Sequence, residues 1–326
     1  FNHGSPAYLQ WPEATTRLAP FRFQAHAMSG WLTALEGTPA GQSVALGLAL
    51  MAAVLHAIFG ALQKGRFDPW VSRAAIDLWA FALMLPVALF VVPWPEPHMW
   101  PIFAGVFVIH AAYKVLQAMA YSRGAYTVVY PVVRGTGPLF AVIGAGLVFG
   151  ESFNPGQWLG LTVLLCGIYG LALYNLRHIT VDRDTLVPAL GLAVLTGAFV
   201  ALYTTFDAYG IRATADPFTF LAWFFVIDGL FFPLMIRHRL RAVPAAEWAH
   251  LARRGLLGAI IAFGSFGGIM LATRLGQVGQ AAVLRETSTV FAALIGWLML
   301  REQTGPRRVF LMGLIAAGAV VVQLAA

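Results

Sequence analysis

The chain has 326 residues, of which 59% are hydrophobic and 11% charged, with a formal net charge of +7. Soluble domains carry about 25% charged residues, so a soluble globular protein is excluded. The positive excess does not mark a nucleic-acid partner: apart from Lys64 and Lys114 every basic residue is Arg, and most lie in short segments between apolar stretches, where cations set membrane orientation.

In chain order, residues 1–41 hold no apolar core of signal-peptide type. Phe1 is not a start residue and Met28 is the first Met, so this segment is expected to be an N-terminal extension, disordered or a remnant of cloning or of translated upstream sequence. Apolar stretches then follow, each long enough to cross a bilayer, at about 43–63, 70–93, 99–122, 126–150, 155–176, 187–211, 216–236, 252–275, 278–300 and 306–325. Asp68-Pro69 opens the second and Asp216-Pro217 the seventh. The connections are short, and only 237–251 is long enough for a surface segment. Trp94, Trp100, Trp158 and Trp248 fall near span ends, where aromatic rings favour the interface. Cys166 lies inside a span, which leaves no disulfide framework and no thiol metal site.

The chain repeats itself. Shifted by 151 residues, the fourth and fifth stretches lie over the ninth and tenth with no gap from Arg123 to Gly167: Arg134 falls on Arg285, Thr136 on Thr287, Glu151 on Glu302 and Pro155 on Pro306. Five spans per half is an odd number, so the second half enters the membrane from the opposite side. The expected fold is an all-α membrane protein of ten transmembrane helices in two inverted five-helix repeats, 42–180 and 181–326, with a solute site near the midplane between them. Loops after odd-numbered spans hold 14 Lys and Arg residues, Arg73 among them, against 4 on the other side. That bias places the odd loops in the cytoplasm and both termini outside.

An ionisable residue at the centre of a span costs roughly 2.5–3.5 kcal/mol on insertion scales and persists where it faces a partner or a cavity. Lys114, Arg134 and Arg285 lie inside spans, with Asp77, Asp228 and Glu286 to balance them; for these acids charge balance and proton coupling are both open. Arg134 and Arg285 each sit about eight residues into a span, ~12 Å deep at ~1.5 Å per residue, near the middle of a ~30 Å core. Pro131, Gly135, Gly137 and Pro138 are expected to weaken the helix around Arg134 and free backbone groups there, and a guanidinium fork suits carboxylate or phosphate. In the third span His110, Tyr113, Lys114, Gln117 and Tyr121 fall on one helical stripe, read as a cavity lining. The expected substrate-binding set is Arg134, Arg285, Tyr130, His110, Lys114, Tyr113 and Gln117. The matching stripe of the eighth span carries Gly264 and Gly268 and reads as close helix packing. Tyr203, Asp207, His56 and Gln63 are weaker candidates. Glu151 and Glu302, at interfacial depth, read as structural. No catalytic residue, metal site or cofactor is expected, since metal-ligand spacing, a Ser nucleophile elbow and a phosphate loop are all missing from the sequence.

Leu55-His56-Ala57 through Gln63-Lys64 resembles the first-span motif of the EamA-type drug/metabolite transporters, a small-residue helix ending in Lys. Gly150-Glu151 and Arg301-Glu302, each followed by a Pro or Gly turn and a Gly-bearing span, resemble that family's repeat ending. Tyr130-Pro131 with Arg134-Gly135 and Pro138, and Leu284-Arg285-Glu286-Thr287-Ser288, look like one branch of it. The likeness covers about 43–325; it departs at Ile58-Phe59-Gly60, where the family commonly has Trp. It implies ten helices around a central cavity and export or uptake of amino acids, nucleotide-related metabolites or other small solutes. It also implies cytoplasmic termini, against the loop charge, which carries more weight here. The expectation is a secondary transporter of the bacterial inner membrane, monomer or homodimer, that moves a small polar metabolite bearing an anionic group by alternating access. Its partners would be the solute and the lipid bilayer. The alternatives are an intramembrane lipid-modifying enzyme, for which no paired acid and nucleophile at one depth is found, and a channel or sensor subunit.

Overall fold

The structure, a computed structural model, describes residues 29–63, 67–123, 126–177, 183–300 and 305–326; Lys64, Arg301 and Glu302 lie outside these. The first five helices are α1 (Pro39–Gln63), α2 (Pro69–Phe90), α3 (Met99–Arg123), α4 (Tyr126–Phe149) and α5 (Pro155–Arg177). The second half holds α6 (Arg183–Ala213), α7 (Pro217–Met235), the short α8 (Arg237–Arg241), α9 (Trp248–Ala262), α10 (Gly268–Leu275), α11 (Val278–Arg285), α12 (Ser288–Leu300) and α13 (Pro306–Leu324). Among the described residues, 9 helical runs are long and apolar enough to cross a membrane. The remaining span, the ninth in chain order, is formed by α11 and α12, which meet at a break.

Local chemistry sets the ends. Asp68 accepts from the Trp70 N–H at 3.2 Å, and Asp216 accepts from Phe218 and Thr219 at 2.8 and 3.2 Å; in each case Pro occupies the first helical position, where its missing N–H is no loss. At the end of α4, Gly150 takes φ +67°, a left-handed conformation that other residues adopt at a cost. The Gly150 N–H closes the helix end on the Gly146 carbonyl at 3.1 Å, a five-to-one bond, and the Glu151 N–H reaches back to the Ala145 carbonyl at 3.4 Å. This reversal aims Glu151 at the other repeat, where its carboxylate accepts from Val278 and Gly279 N–H at 2.9 and 3.0 Å and pairs with Arg212 at 3.4 Å.

The packing obeys the inverted two-fold. α5 lies against its own repeat mate α13, and α2 against its mate α7; α4 against α6 is matched by α11 and α12 against α1, and α3 against α6 by α9 and α10 against α1. On the α5–α13 seam the backbones nearly touch: a Cβ added at Gly318 would lie 2.4 Å from the Leu164 nitrogen and 2.5 Å from the Gly160 carbonyl oxygen. α1 begins and α13 ends on one side of the bundle, where Gln42 and Gln323 line a common cavity.

Four expectations need correction. α4 is not interrupted at Arg134. It runs unbroken through Pro131 and Pro138, and its glycines serve contact instead, a Cβ at Gly135 meeting Tyr169 at 2.9 Å and one at Gly137 meeting Val200 at 3.2 Å. The break falls in the repeat mate, at Glu286–Thr287, with neither Pro nor Gly. The eighth span is not a plain α-helix: it holds a π turn over Phe263–Gly267, bedded on α1 with the Ser265 hydroxyl donating to the Ala52 carbonyl at 3.1 Å. Residues 29–41 of the expected extension are packed, with a helical turn at 29–33, Leu32 buried in the core, and Glu36 accepting from Arg274 at 2.6 Å. Finally, Arg73 is not a loop charge. It lies four residues into α2, its Nε 2.9 Å from Asp77.

Candidate functional site

Two buried polar clusters lie side by side in the interior of the helical bundle. The first surrounds the α11–α12 break. There the chain turns with three-residue hydrogen bonds, Glu286 N–H to Val283 carbonyl at 3.0 Å and Thr287 N–H to Leu284 carbonyl at 3.1 Å. Unpartnered carbonyls in lipid are costly; here the Leu284 and Glu286 carbonyls accept from the Thr287 and Thr289 N–H groups at 3.1 Å each, and side chains add further donors around the turn. The Thr287 hydroxyl reaches the Leu284 carbonyl at 2.7 Å, the Thr289 hydroxyl the Glu286 carbonyl at 2.8 Å, and Arg134 Nη2 the Arg285 carbonyl at 3.2 Å. Arg134 also donates to the Ser288 hydroxyl and to His56 Nε2 at 3.3 Å, and lies over the Tyr130 ring. Its Nε approaches Glu286 Oε2 to 2.8 Å, but the angle is too bent for a hydrogen bond and both atoms stay unmatched in that sense. Charge attraction, not alignment, holds this pair. The repeat-related arginines are thus brought together, with Arg134 used to brace the break.

Arg285 is placed differently. It is 3% exposed. Nη2 reaches only the Thr204 hydroxyl at 3.4 Å, Nε has no hydrogen-bond partner, and the guanidinium lies over the Tyr203 ring at 5.8 Å. Among the described residues no carboxylate lies within ion-pair distance of it. With Tyr203, Thr204 and Asp207 it lines a small void between α6 and α10–α11.

The second cluster is a chain of charges across α2, α3, α6 and α7. Lys114 Nζ lies 2.7 Å from Asp77 and 2.9 Å from Asp228, and donates to the Asp228 carbonyl at 2.8 Å. Arg73 holds the other oxygen of Asp77. His110 Nε2 lies 3.0 Å from Asp207, and its Nδ1 3.7 Å from Asp228. Of the expected set, then, Lys114 and His110 are occupied by carboxylates, Tyr113 accepts from Gln117 at 2.7 Å, and Tyr130 belongs with Arg134. Asp207, ranked low from sequence, and Arg73, placed there in a loop, prove to be members of this network. The only sequence signal for Asp207 is its spacing of four residues from Tyr203.

A cavity approaches from each side. One, of about 200 Å³, is lined by Asp68, Arg73, Lys114, Gln117, Tyr121 and Ser122, at the end of α3. The other, of about 480 Å³, lies on the side of the described chain end and is lined by Arg212, Arg274, Gln277, Gln280 and Leu284 among others. Neither is lined by Arg134 or Arg285. One stops at Lys114, the other a residue short of Arg285.

The profile of the EamA-like transporter family matches residues 40–173 and again 187–324. A relative from Sinorhizobium fredii (strain NBRC 101917 / NGR234), "Uncharacterized protein y4nH", is 33% identical over 77 residues, 24% of this chain and 66% of that protein. A solved crystal structure superposes with a TM-score of 0.69 at 18% identity, covering 88% of this chain and 99% of that one; at that identity the likeness is one of fold.

Proposed function

This chain belongs to the EamA-like transporter family, a family of multi-pass membrane transporters of small solutes, and from that premise we propose that its solute is a small polar anion taken at Arg285 and moved by alternating access. The observation that carries this reading is a difference among the buried cations. Arg73, Lys114 and Arg134 each lie within 2.9 Å of a carboxylate, whereas Arg285, 3% exposed, has none within ion-pair distance among the described residues, and its Nε, like that of Arg134, has no hydrogen-bond partner. A desolvated guanidinium with unmatched donors is a receptor for a carboxylate or phosphate group. Thr204, Tyr203 and the break at Glu286–Thr287 complete the pocket. Arg134 positions the break rather than binding the solute, which narrows the expected arginine pair to one contact.

Alternating access is supported by the cavities that stop on either side of the clusters and by the inverted repeat, in which one half can exchange conformations with the other. The bacterial inner membrane and a monomer or homodimer remain the reading for location and assembly. Thermal unfolding of purified protein with a panel of short carboxylates, phosphate monoesters and neutral polar analogues tests the solute class. Arg285→Gln should erase the stabilisation that an anion gives the parent chain. Equal stabilisation of Arg285→Gln, or stabilisation by neutral analogues alone, would overturn the reading.

A further inference from the structure

The buried charges of the spans fail to pair in one place. Arg73 and Lys114 hold Asp77 and Asp228, and Arg134 holds Glu286. Arg285 and Asp207 are left over, lining the same void without an ion pair between them. Asp207 is held by His110 instead, with Nε2 3.2 Å from one carboxylate oxygen and 3.0 Å from the other. The second ring nitrogen faces Asp228 Oδ1 at 3.7 Å. A neutral imidazole has one N–H and one lone pair; only the imidazolium donates from both nitrogens. At 3.7 Å the Asp228 contact is one of charge and not a hydrogen bond, so the ring, 3% exposed, has its seat between two carboxylates that favour its protonated form, the nearer of them equally buried.

Charge counting then links this seat to Arg285. With His110 neutral, the cations Arg73, Lys114, Arg134 and Arg285 match the acids Asp77, Asp207, Asp228 and Glu286. With His110 protonated the network carries one excess positive charge, which one monoanion at Arg285 cancels. The phenols Tyr113 and Tyr203, packed around the ring, add no charge, and His56 accepts from Arg134. Uncompensated charge inside a membrane is expensive. The forms that move without it are the empty, unprotonated carrier and the carrier holding both proton and anion. Proton alone or anion alone leaves a net charge stranded in the membrane.

We propose that His110 with Asp207 is the proton site of this transporter, and that it couples one proton to one monoanion moving in the same direction, in an electrically neutral cycle. The inference rests on the reading of Arg285 as the anion site. The proton binds an imidazole nitrogen from water on one side and returns to water on the other; no other bond forms or breaks.

The test uses the full chain in lipid nanodiscs with 15N-labelled histidine. His110 is assigned by the signals lost in His110→Gln, and isethionate and lactate serve as monoanion probes. Falling pH should convert the ring to imidazolium, and a saturating probe should move the midpoint upward by about one pH unit, equivalent by linkage to about tenfold tighter probe binding on protonation. In Arg285→Gln the ring should titrate but no longer respond to the probe. In Asp207→Asn, which fixes the excess positive charge, probe binding should lose its pH dependence. A His110 that stays neutral wherever the protein is folded overturns the proton site and leaves anion binding at Arg285 standing. A ring that titrates but responds to neither probe overturns the coupling and counts against Arg285 as the anion site. A probe response unchanged in Arg285→Gln puts the anion elsewhere and also overturns the coupling.

Discussion

Replacing Lys114 by Met removes one charge from a site where every donor is used. Nζ contacts Asp77 at 2.7 Å, Asp228 at 2.9 Å and the Asp228 carbonyl at 2.8 Å, with 1% of the side chain exposed. Met keeps the length and leaves two acids behind. They are not equally stranded: Asp77 retains Arg73 at 2.9 Å, whereas Asp228 retains only His110 at 3.7 Å. Breaking a buried pair costs about 3–5 kcal/mol when the remaining charge is uncompensated. At roughly 2–4 °C per kcal/mol for chains of a couple of hundred residues, Lys114→Met should lower the Tm of the detergent-solubilised protein by about 10 °C. Adding Asp228→Asn should restore most of the loss, because it neutralises the acid left alone; adding Asp77→Asn should restore less. Thermal unfolding followed by size-exclusion fluorescence reads the series. A Lys114→Met protein within about 2 °C of the parent, or better rescue by Asp77→Asn than by Asp228→Asn, would refute the assignment of Lys114 to charge neutralisation and return it to the solute site.

Glu151→Gln should weaken the cap on α11 and the Arg212 pair, costing about 1 kcal/mol in stability; the same thermal assay checks it, and an unchanged Tm would remove the cap from the description. Gly318→Leu should abolish the folded monomer on size exclusion, because the side chain has only the α5 backbone to displace and overpacking of 1–3 kcal/mol is already typical where neighbours can yield; normal elution would show that the seam between α5 and α13 is wrong. A reporter active only in the cytoplasm, fused after Ala326, should be silent; strong signal would reverse the orientation drawn from loop charge, a bias of 13 against 4 once Arg73 is taken out of the 14 loop cations.

What could be read from sequence was whatever repeats. Arg134 over Arg285 and Pro155 over Pro306 at one shift disclosed two halves, and the odd span count disclosed their inversion; the mate-against-mate packing of α5 on α13 follows from that symmetry. The position of the helix break could not be read the same way. Proline and glycine in α4 suggested it, yet the break at Glu286–Thr287 is held by Thr287, Thr289 and an arginine 151 residues away in sequence, so only the assembled fold reveals it. The polar stripe of α3 was visible as periodicity, but its partners Asp77, Asp207 and Asp228 lie on three other helices. Periodicity says which face is polar and not whether that face meets acid or solute. For Arg73, nearness to a loop in sequence concealed a side chain that points into the membrane.

Transport itself decides between a bound anion and a merely buried cation at Arg285. In vesicles reconstituted with the parent chain, an anion that stabilises the protein should show saturable counterflow. Arg285→Lys, which keeps the charge but loses the planar fork, should slow it at least tenfold while its thermal stability stays near that of the parent. Counterflow at the parent rate in Arg285→Lys would contradict recognition of the solute by that guanidinium.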